Sequence, residues 1–230
     1  MTLRNASPLE DIDLVVFDLF GTLVEIGSRH RPFAHLQRRM GPEKANRFRR
    51  LAMTTELTLA ELDAEIEGGA TVADLVVVQA AIAREVASTA LRAGVREMLA
   101  GLPIQYGLCS NLSPDYVPAL ARFPEIKPAF RILSCQVGCM KPDPAIYDLV
   151  INAAGVPACR ILFVGDTPAA DIDGPTRVGM RAMHIDKMLA LFVGGNADQD
   201  MRPHRKRRDD FPTAFRAARG TISTNLDIES

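Results

Sequence analysis

A near-continuous apolar run from Ile12 to Phe17 closes on Asp18 and continues as Leu19-Phe20-Gly21-Thr22-Leu23-Val24. Such a run suits a strand buried on both faces of a parallel sheet, because a strand with one wet face would alternate apolar with polar residues. Its last side chain then stands at the carboxyl edge, where open α/β sheets bind ligands. Asp18 is therefore the first catalytic candidate, as nucleophile or metal ligand. The plainer alternative is a carboxylate that caps the next segment. Gly21 permits a tight turn here, and Thr22 offers a short hydroxyl and a free N–H beside the carboxylate.

The rest of the chain repeats this kind of strand at intervals filled with helical patterns, which predicts a doubly wound parallel α/β sheet. Further strands are expected near Gln105, Ile132, Leu162 and Met183, the last running into Ile185. With 230 residues and 47% hydrophobic content there is ample material for a core, in one domain or two. A formal charge of -1 gives no reason to expect nucleic acid as a partner. Cys109, Cys135, Cys139 and Cys159 are scattered without metal spacing and read as buried thiols of a reducing compartment. Residues 1–11 lack the features of a signal peptide, and no apolar run approaches membrane-spanning length, so a cytoplasmic protein without a membrane partner is expected. Oligomeric state is not legible.

Between Gly27 and Ser88 the period changes to helical. Phe33, Leu36 and Met40, then Phe48, Leu51 and Ala52, predict two short helices separated near Gly41-Pro42. Thr58 and Glu61 have the form of a capping box, and Leu59, Leu62 and Ile66 continue that helix until Gly68-Gly69. A fourth helix is expected from about Val72 to Ser88, with Leu75, Val76, Gln79, Ile82, Ala83 and Val86 as its core stripe. Many arginines lie in this insert, among them Arg29, Arg31, Arg38, Arg47, Arg49 and Arg50.

Three later strand ends carry polar residues. Ser110-Asn111 follows the strand at Gln105, and Pro114 suits the first turn of the next helix. A hydroxyl backed by the N–H groups of a helix start can hold an anionic oxygen. Lys141-Pro142-Asp143-Pro144 places a lysine on an extended segment, with Pro144 opening a helix; taken alone, Lys141 reads as an exposed loop cation. Arg160 to Val164 ends in Gly165-Asp166, with Asp171 five positions on at a helix start. Two carboxylates near the tip of the Asp18 strand would make a strongly negative pocket, best relieved by a hard divalent cation.

Phe17-Asp18-Leu19-Phe20-Gly21-Thr22-Leu23, Ser110-Asn111, Lys141-Pro142-Asp143-Pro144 and Gly165-Asp166 with Asp171 resemble, in order, the four motifs of the haloacid dehalogenase superfamily of hydrolases. The resemblance, which covers roughly Ile12 to Ile185, implies a Rossmann-like core with an inserted helical cap: residues 1–26 and 89–190 form the core and 27–88 the cap. Beyond it, residues 191–230 read as a solvated tail with at most one helix, around Thr213 to Arg219. The resemblance implies Asp18 as nucleophile, Ser110 as anion ligand and Lys141 as the cation that neutralises nucleophile and substrate together. Thr22, Asn111 and a cap arginine, Arg49 or else Arg47 or Arg50, would bind substrate. Mg²⁺ would be held by Asp18, the carbonyl of Phe20 and Asp166, with Asp171 as a further ligand or orienter.

One departure matters. Most phosphatases of the family carry a second Asp, which protonates the leaving alcohol, where this chain has Phe20. Haloacid dehalogenases proper have an aromatic residue there and an Asn after the Ser, but they are metal-free and do not keep the Gly-Asp form. The expected activity is Mg²⁺-dependent hydrolysis of a small phosphorylated metabolite. The alternatives are a metal-independent 2-haloacid dehalogenase and a non-catalytic phospho-ligand-binding homologue. The basic run at Arg202 to Arg208 is followed at once by Asp209-Asp210 and reads as a solvated tail rather than a nucleic-acid site.

Overall fold

The computed structural model describes residues 8–193. Its centre is β1, Leu14–Phe17, which is buried throughout. It is flanked by β4 (Gln105–Ser110) and β6 (Ile161–Gly165), with β5 (Arg131–Leu133) and β7 (Arg181–His184) at the edges, giving the order β5-β4-β1-β6-β7. All four pairings are parallel, with Leu14 facing Gln105 on one side and Ile161 on the other. Alternate residues of β1 serve two separate cores. Val15 and Phe17 join Met98 of α5 (Val95–Gly101) with Ile185 and Met188 of α9 (Ile185–Val193). Leu14 and Val16 join Ile146, Tyr147 and Val150 of α7 (Pro144–Ala154). Helices therefore cover both faces, which is why β1 reads as an unbroken apolar run.

From β1 the chain passes outward through β4 to β5 and then returns to the other side of β1 for β6 and β7. The reversal beside β1 leaves a crevice beyond the carboxyl ends of the strands. The connections there are short: α6 (Ser134–Val137), a 3₁₀ segment at Pro114–Arg122, and a π-type turn at Pro168–Asp173 leading into α8 (Gly174–Arg177).

A two-stranded antiparallel pair, β2 (Val24–Ile26) with β3 (Thr89–Leu91), brackets four helices: α1 (Phe33–Gln37), α2 (Pro42–Thr54), α3 (Leu59–Glu65) and α4 (Val72–Ala87). The bracket is tied further by Gly27 N–H to the Ser88 carbonyl at 3.1 Å and Arg92 N–H to the Leu23 carbonyl at 3.0 Å. The capping box of α3 forms as expected, Thr58 accepting from the Glu61 N–H at 3.3 Å.

Several expectations are corrected. The buried face of α4 is Asp74, Val78, Ala81, Ile82 and Glu85, so of the expected stripe only Ile82 is fully enclosed; Leu75 and Val86 are half-buried, and Val76 is 56% exposed. The rotation follows from the two acids, which are buried because they are bonded. Asp74 closes a capping box with Thr71 and meets His35 of α1 and Arg39 just beyond it, while Glu85 accepts from the backbone of His30 and Arg31. Ile185 begins α9 rather than ending a strand. The second of the two short helices, α2, runs thirteen residues. Cys109 and Cys135 are buried, but Cys139 is half-buried and Cys159 exposed. The expected tail helix around Thr213 lies outside the described residues. No helix among the described residues is long and apolar enough to cross a membrane.

Gly107 in β4 is required by close approach, since a Cβ there would lie 2.4 Å from the tip of the Phe130 ring. Gly107→Ala is expected to lower stability by about 1–3 kcal/mol through overpacking. Urea unfolding measures it, and an unchanged midpoint would mean that the ring is free to move aside.

Candidate active site

The ends of β1, β4 and β6 stand side by side, so chain geometry alone brings Asp18, Ser110 and Gly165-Asp166 to one edge. Lys141 arrives from the loop before α7. Its side chain is 2% exposed, and its Nζ donates to Asp18 Oδ1 at 3.0 Å and to Asp171 Oδ1 at 2.6 Å. The ammonium also lies 5.1 Å from the centre of the Phe163 ring in β6. Far from being an exposed loop cation, Lys141 is the charge around which two buried carboxylates are arranged.

Its backbone is clasped as well. The Asn111 side-chain amide donates to the Lys141 carbonyl at 2.7 Å, and the Lys141 N–H donates to Asn111 Oδ1 at 2.8 Å. Asn111 therefore acts on the loop that positions Lys141, which is a different task from the substrate contact expected of it. The other oxygen of Asp171 accepts from the Thr167 N–H at 2.9 Å. Tyr147 of α7 supports the same turn, its hydroxyl donating to the Ala170 carbonyl at 2.6 Å.

Asp18, Asp166 and Asp171 each present a carboxylate oxygen within 4.8 Å of one another. Two glycines make this convergence sterically possible. A Cβ on Gly21, whose φ is +88°, would stand 2.3 Å from Asp166 Oδ2, and one on Gly165 would stand 2.3 Å from Asp171 Cγ. The all-oxygen donor set suits a hard divalent cation such as Mg²⁺.

Burial pushes the Asp18 carboxyl above its ordinary range, with Lys141 pulling it down and Asp171 pushing it further up. For Lys141 burial acts downward, but the charges of Asp18 and Asp171 outweigh it and hold the ammonium above its usual range. Burial pushes the Cys109 thiol up to about 12, so it remains protonated beside these charges.

Phe20 sets its ring edge-on to Tyr116 of the 3₁₀ segment, with centroids 5.8 Å apart, and Tyr116 donates its hydroxyl to Glu85 of α4. Thr22 is fully enclosed, and its hydroxyl oxygen has no hydrogen-bond partner among the described residues. Of the arginines in the insert, Arg49 and Arg50 line a cavity of about 380 Å³ together with Asn46, Thr54, Met140 and Lys141. Arg47 instead pairs with Glu65 at 2.7 Å, which removes it from the cavity. Arg92 escaped the sequence reading altogether: its guanidinium donates to the Gly21 carbonyl at 2.6 Å and pairs with Asp186 at 2.5 Å. Nothing in the sequence near Arg92 marks a residue that reaches back so far along the chain.

Replacing Lys141 by Met would leave Asp18 and Asp171 as buried like charges without their cation. A loss of about 3–5 kcal/mol is expected at neutral pH. Asp18, already pushed above its ordinary range by burial, would lose the cation that pulls it down and bind a proton still more tightly in the folded state than in the unfolded one, so the deficit should shrink as pH falls. Urea unfolding of both proteins at pH 8 and pH 5 measures this, and a deficit that does not change with pH would mean that packing rather than charge is lost.

A 58-residue segment of the chain is 36% identical to a phosphoserine phosphatase of Thermus thermophilus; it covers 25% of this chain and 23% of that enzyme. Two solved structures share the fold. One is a haloacid dehalogenase family enzyme of Bacteroides thetaiotaomicron in a magnesium complex, 19% identical over 76% of this chain and 93% of that chain, with a TM-score of 0.59. The other is a 2-haloacid dehalogenase of Pseudomonas syringae pv. Tomato, 22% identical over 74% and 85%, with a TM-score of 0.51. The sequence pattern of haloacid dehalogenase-like hydrolases matches residues 12–179, and with the parallel sheet and its edge constellation this places the chain in that family of hydrolases.

Proposed function

We propose that this chain hydrolyses a small phosphorylated metabolite through an aspartyl-phosphate intermediate, with Mg²⁺ at the carboxylate cluster. The observation that carries the reading is the convergence of three carboxylates on a site that already holds a buried lysine. A metal-free dehalogenase has no use for Asp166 so close to Asp18. The Thermus relative is a phosphoserine phosphatase and the Bacteroides enzyme forms a magnesium complex, which supports the same direction.

In this scheme Asp18 attacks phosphorus, the bond from phosphorus to the ester oxygen breaks, and water later hydrolyses the acyl phosphate. Lys141 orients the attacking carboxylate and offsets charge on the phosphoryl oxygens, while Ser110 at the end of β4 donates to one of them. Asp18, Asp166 and the Phe20 carbonyl would hold Mg²⁺, with Asp171 orienting Lys141 and the turn after β6. When bound, the metal supplies a second positive charge to the transferring phosphoryl group. Thr22, whose hydroxyl is otherwise unpartnered, and Arg49 on the cavity wall complete the anion contacts. Residues 27–88, entering and leaving through β2 and β3, act as the cap that excludes water.

Phe20 is packed on Tyr116 and has no proton to give, so the leaving group must tolerate departing without help. General acid catalysis is worth about 10²–10⁴-fold in rate. Aryl and acyl phosphates are therefore expected to turn over about 10²-fold or more faster than alkyl phosphates at equal pH. Equal rates would show that another group supplies the proton.

A second reading, dehalogenation of a 2-haloacid, is favoured by the same Phe20 and by Arg49 and Arg50 on a cavity shared with Lys141. One panel separates the readings: phosphate esters and 2-haloacids, each assayed with Mg²⁺ and with chelator. Phosphate release that is lost on chelation and in Asp18→Asn is the expected result. Chelator-resistant halide release would replace it with the dehalogenase, and absence of both, with a phosphorylated compound still bound, would leave a binding protein.

A further inference from the structure

A second concave surface lies on the inserted helices, away from the carboxylate cluster. It is a cavity of about 340 Å³ between the segment entering α1 and the flank of α4, lined by Arg29, His30, Arg31, His35, Arg38 and Arg84. No Asp or Glu lines it. None of the four guanidiniums makes a hydrogen bond or ion pair among the described residues, whereas Arg39, Arg47, Arg92, Arg96 and Arg160 all have carboxylate partners. The two nearby acids are already committed. Asp74 is held by Thr71, His35 and Arg39, and Glu85 by the His30 and Arg31 N–H groups and the Tyr116 hydroxyl. A cluster of four like charges that repel one another, with local neutralisation spent elsewhere, is stabilised by an incoming anion.

The backbone gives an independent sign. Arg31 sits at φ +48°, a left-handed conformation uncommon for a residue with a side chain. It is held there by its N–H bond to Glu85 Oε1 at 2.9 Å. Strain of this kind persists where the surroundings impose it, and it gathers at ligand clamps.

We propose that this cavity is a binding site for a compact polyphosphate, a di- or triphosphate group, separate from the catalytic crevice. Guanidinium forks match phosphate oxygens two at a time, and four forks exceed what one orthophosphate can use. The volume falls in the range of small-molecule pockets. Val77, Val78 and Ala81 give it an apolar wall but no aromatic surface on which bases could stack, which argues against a single-stranded nucleic acid.

The test is calorimetric titration of the whole chain with tripolyphosphate, and with orthophosphate alongside, at low and moderate salt. Tripolyphosphate should bind more tightly than orthophosphate and weaken with salt. Arg38→Ala with Arg84→Ala should weaken it about tenfold or more, since two charge-assisted bonds are lost, with the urea midpoint unchanged and aryl phosphate turnover retained. Arg49→Ala with Arg50→Ala should leave it unaltered. Either single variant, Arg38→Ala or Arg84→Ala, serves if the pair does not fold. Affinity unaffected by the groove changes, binding that vanishes with Arg49 and Arg50 instead, or orthophosphate binding as tightly as tripolyphosphate would each overturn the proposal.

Discussion

The geometry of the site depends on one buried ammonium. Lys141 stands between Asp18 and Asp171, all three almost wholly shielded from water, so none of these charges is tolerable without the others. That requirement fixes more than the three side chains. The loop of Lys141 must be held to within hydrogen-bond tolerance, which is what the reciprocal amide pair with Asn111 does. The turn carrying Asp171 must be held as firmly, which the Thr167 N–H and the Tyr147 hydroxyl achieve. A methyl group added at Gly21 or Gly165 would displace Asp166 or Asp171 from the cluster.

The insert connects to this arrangement through buried contacts. Glu85 gathers the backbone at His30 and Arg31 together with the Tyr116 hydroxyl, and Tyr116 touches Phe20, two residues beyond Asp18. Burial pushes the Tyr116 hydroxyl far above its ordinary range, with the Glu85 contact adding to the effect, so it stays a donor throughout the accessible pH range. The residue that replaces the family's usual acid is thus part of the packing between insert and sheet. Its aromatic character suits that packing as well as it fails to donate a proton.

β1 and β6 were legible because burial on both faces leaves no polar residues to confuse the pattern, and β4, β5 and β7 from shorter apolar stretches that polar residues interrupt. β2 and β3 were not, since each has a single buried residue and borders a stretch whose pattern is helical. The face of α4 was misjudged for a physical reason: hydrophobicity ranks Asp74 and Glu85 as exposed, and only the positions of His35, Arg39, Tyr116 and the α1 entry explain why they are inside. At the site, the residue types of Asp18, Lys141, Asp166 and Asp171 and their order along the chain were readable, and the structure sets them within bonding or ligating distance of one another. Asn111's grip on the lysine loop, Arg92's reach to Gly21 and the sorting of Arg49 from Arg47 depend on tertiary neighbours that no local pattern encodes.

The central strand of the sheet is also the first to leave the ribosome. β1 can pair with β4 only after the whole insert has been made, and its other edge stays open until β6 follows near the end of the described chain. Throughout synthesis, therefore, the most apolar strand carries unpaired backbone groups, the condition under which nascent sheets associate with one another. The antiparallel clasp of β2 and β3 holds the two ends of the insert together, so that the chain re-enters the sheet at β4 close to β1. The insert is in this sense a loop whose closure has been arranged in advance, and the late arrival of β6 is the step that seals the protein.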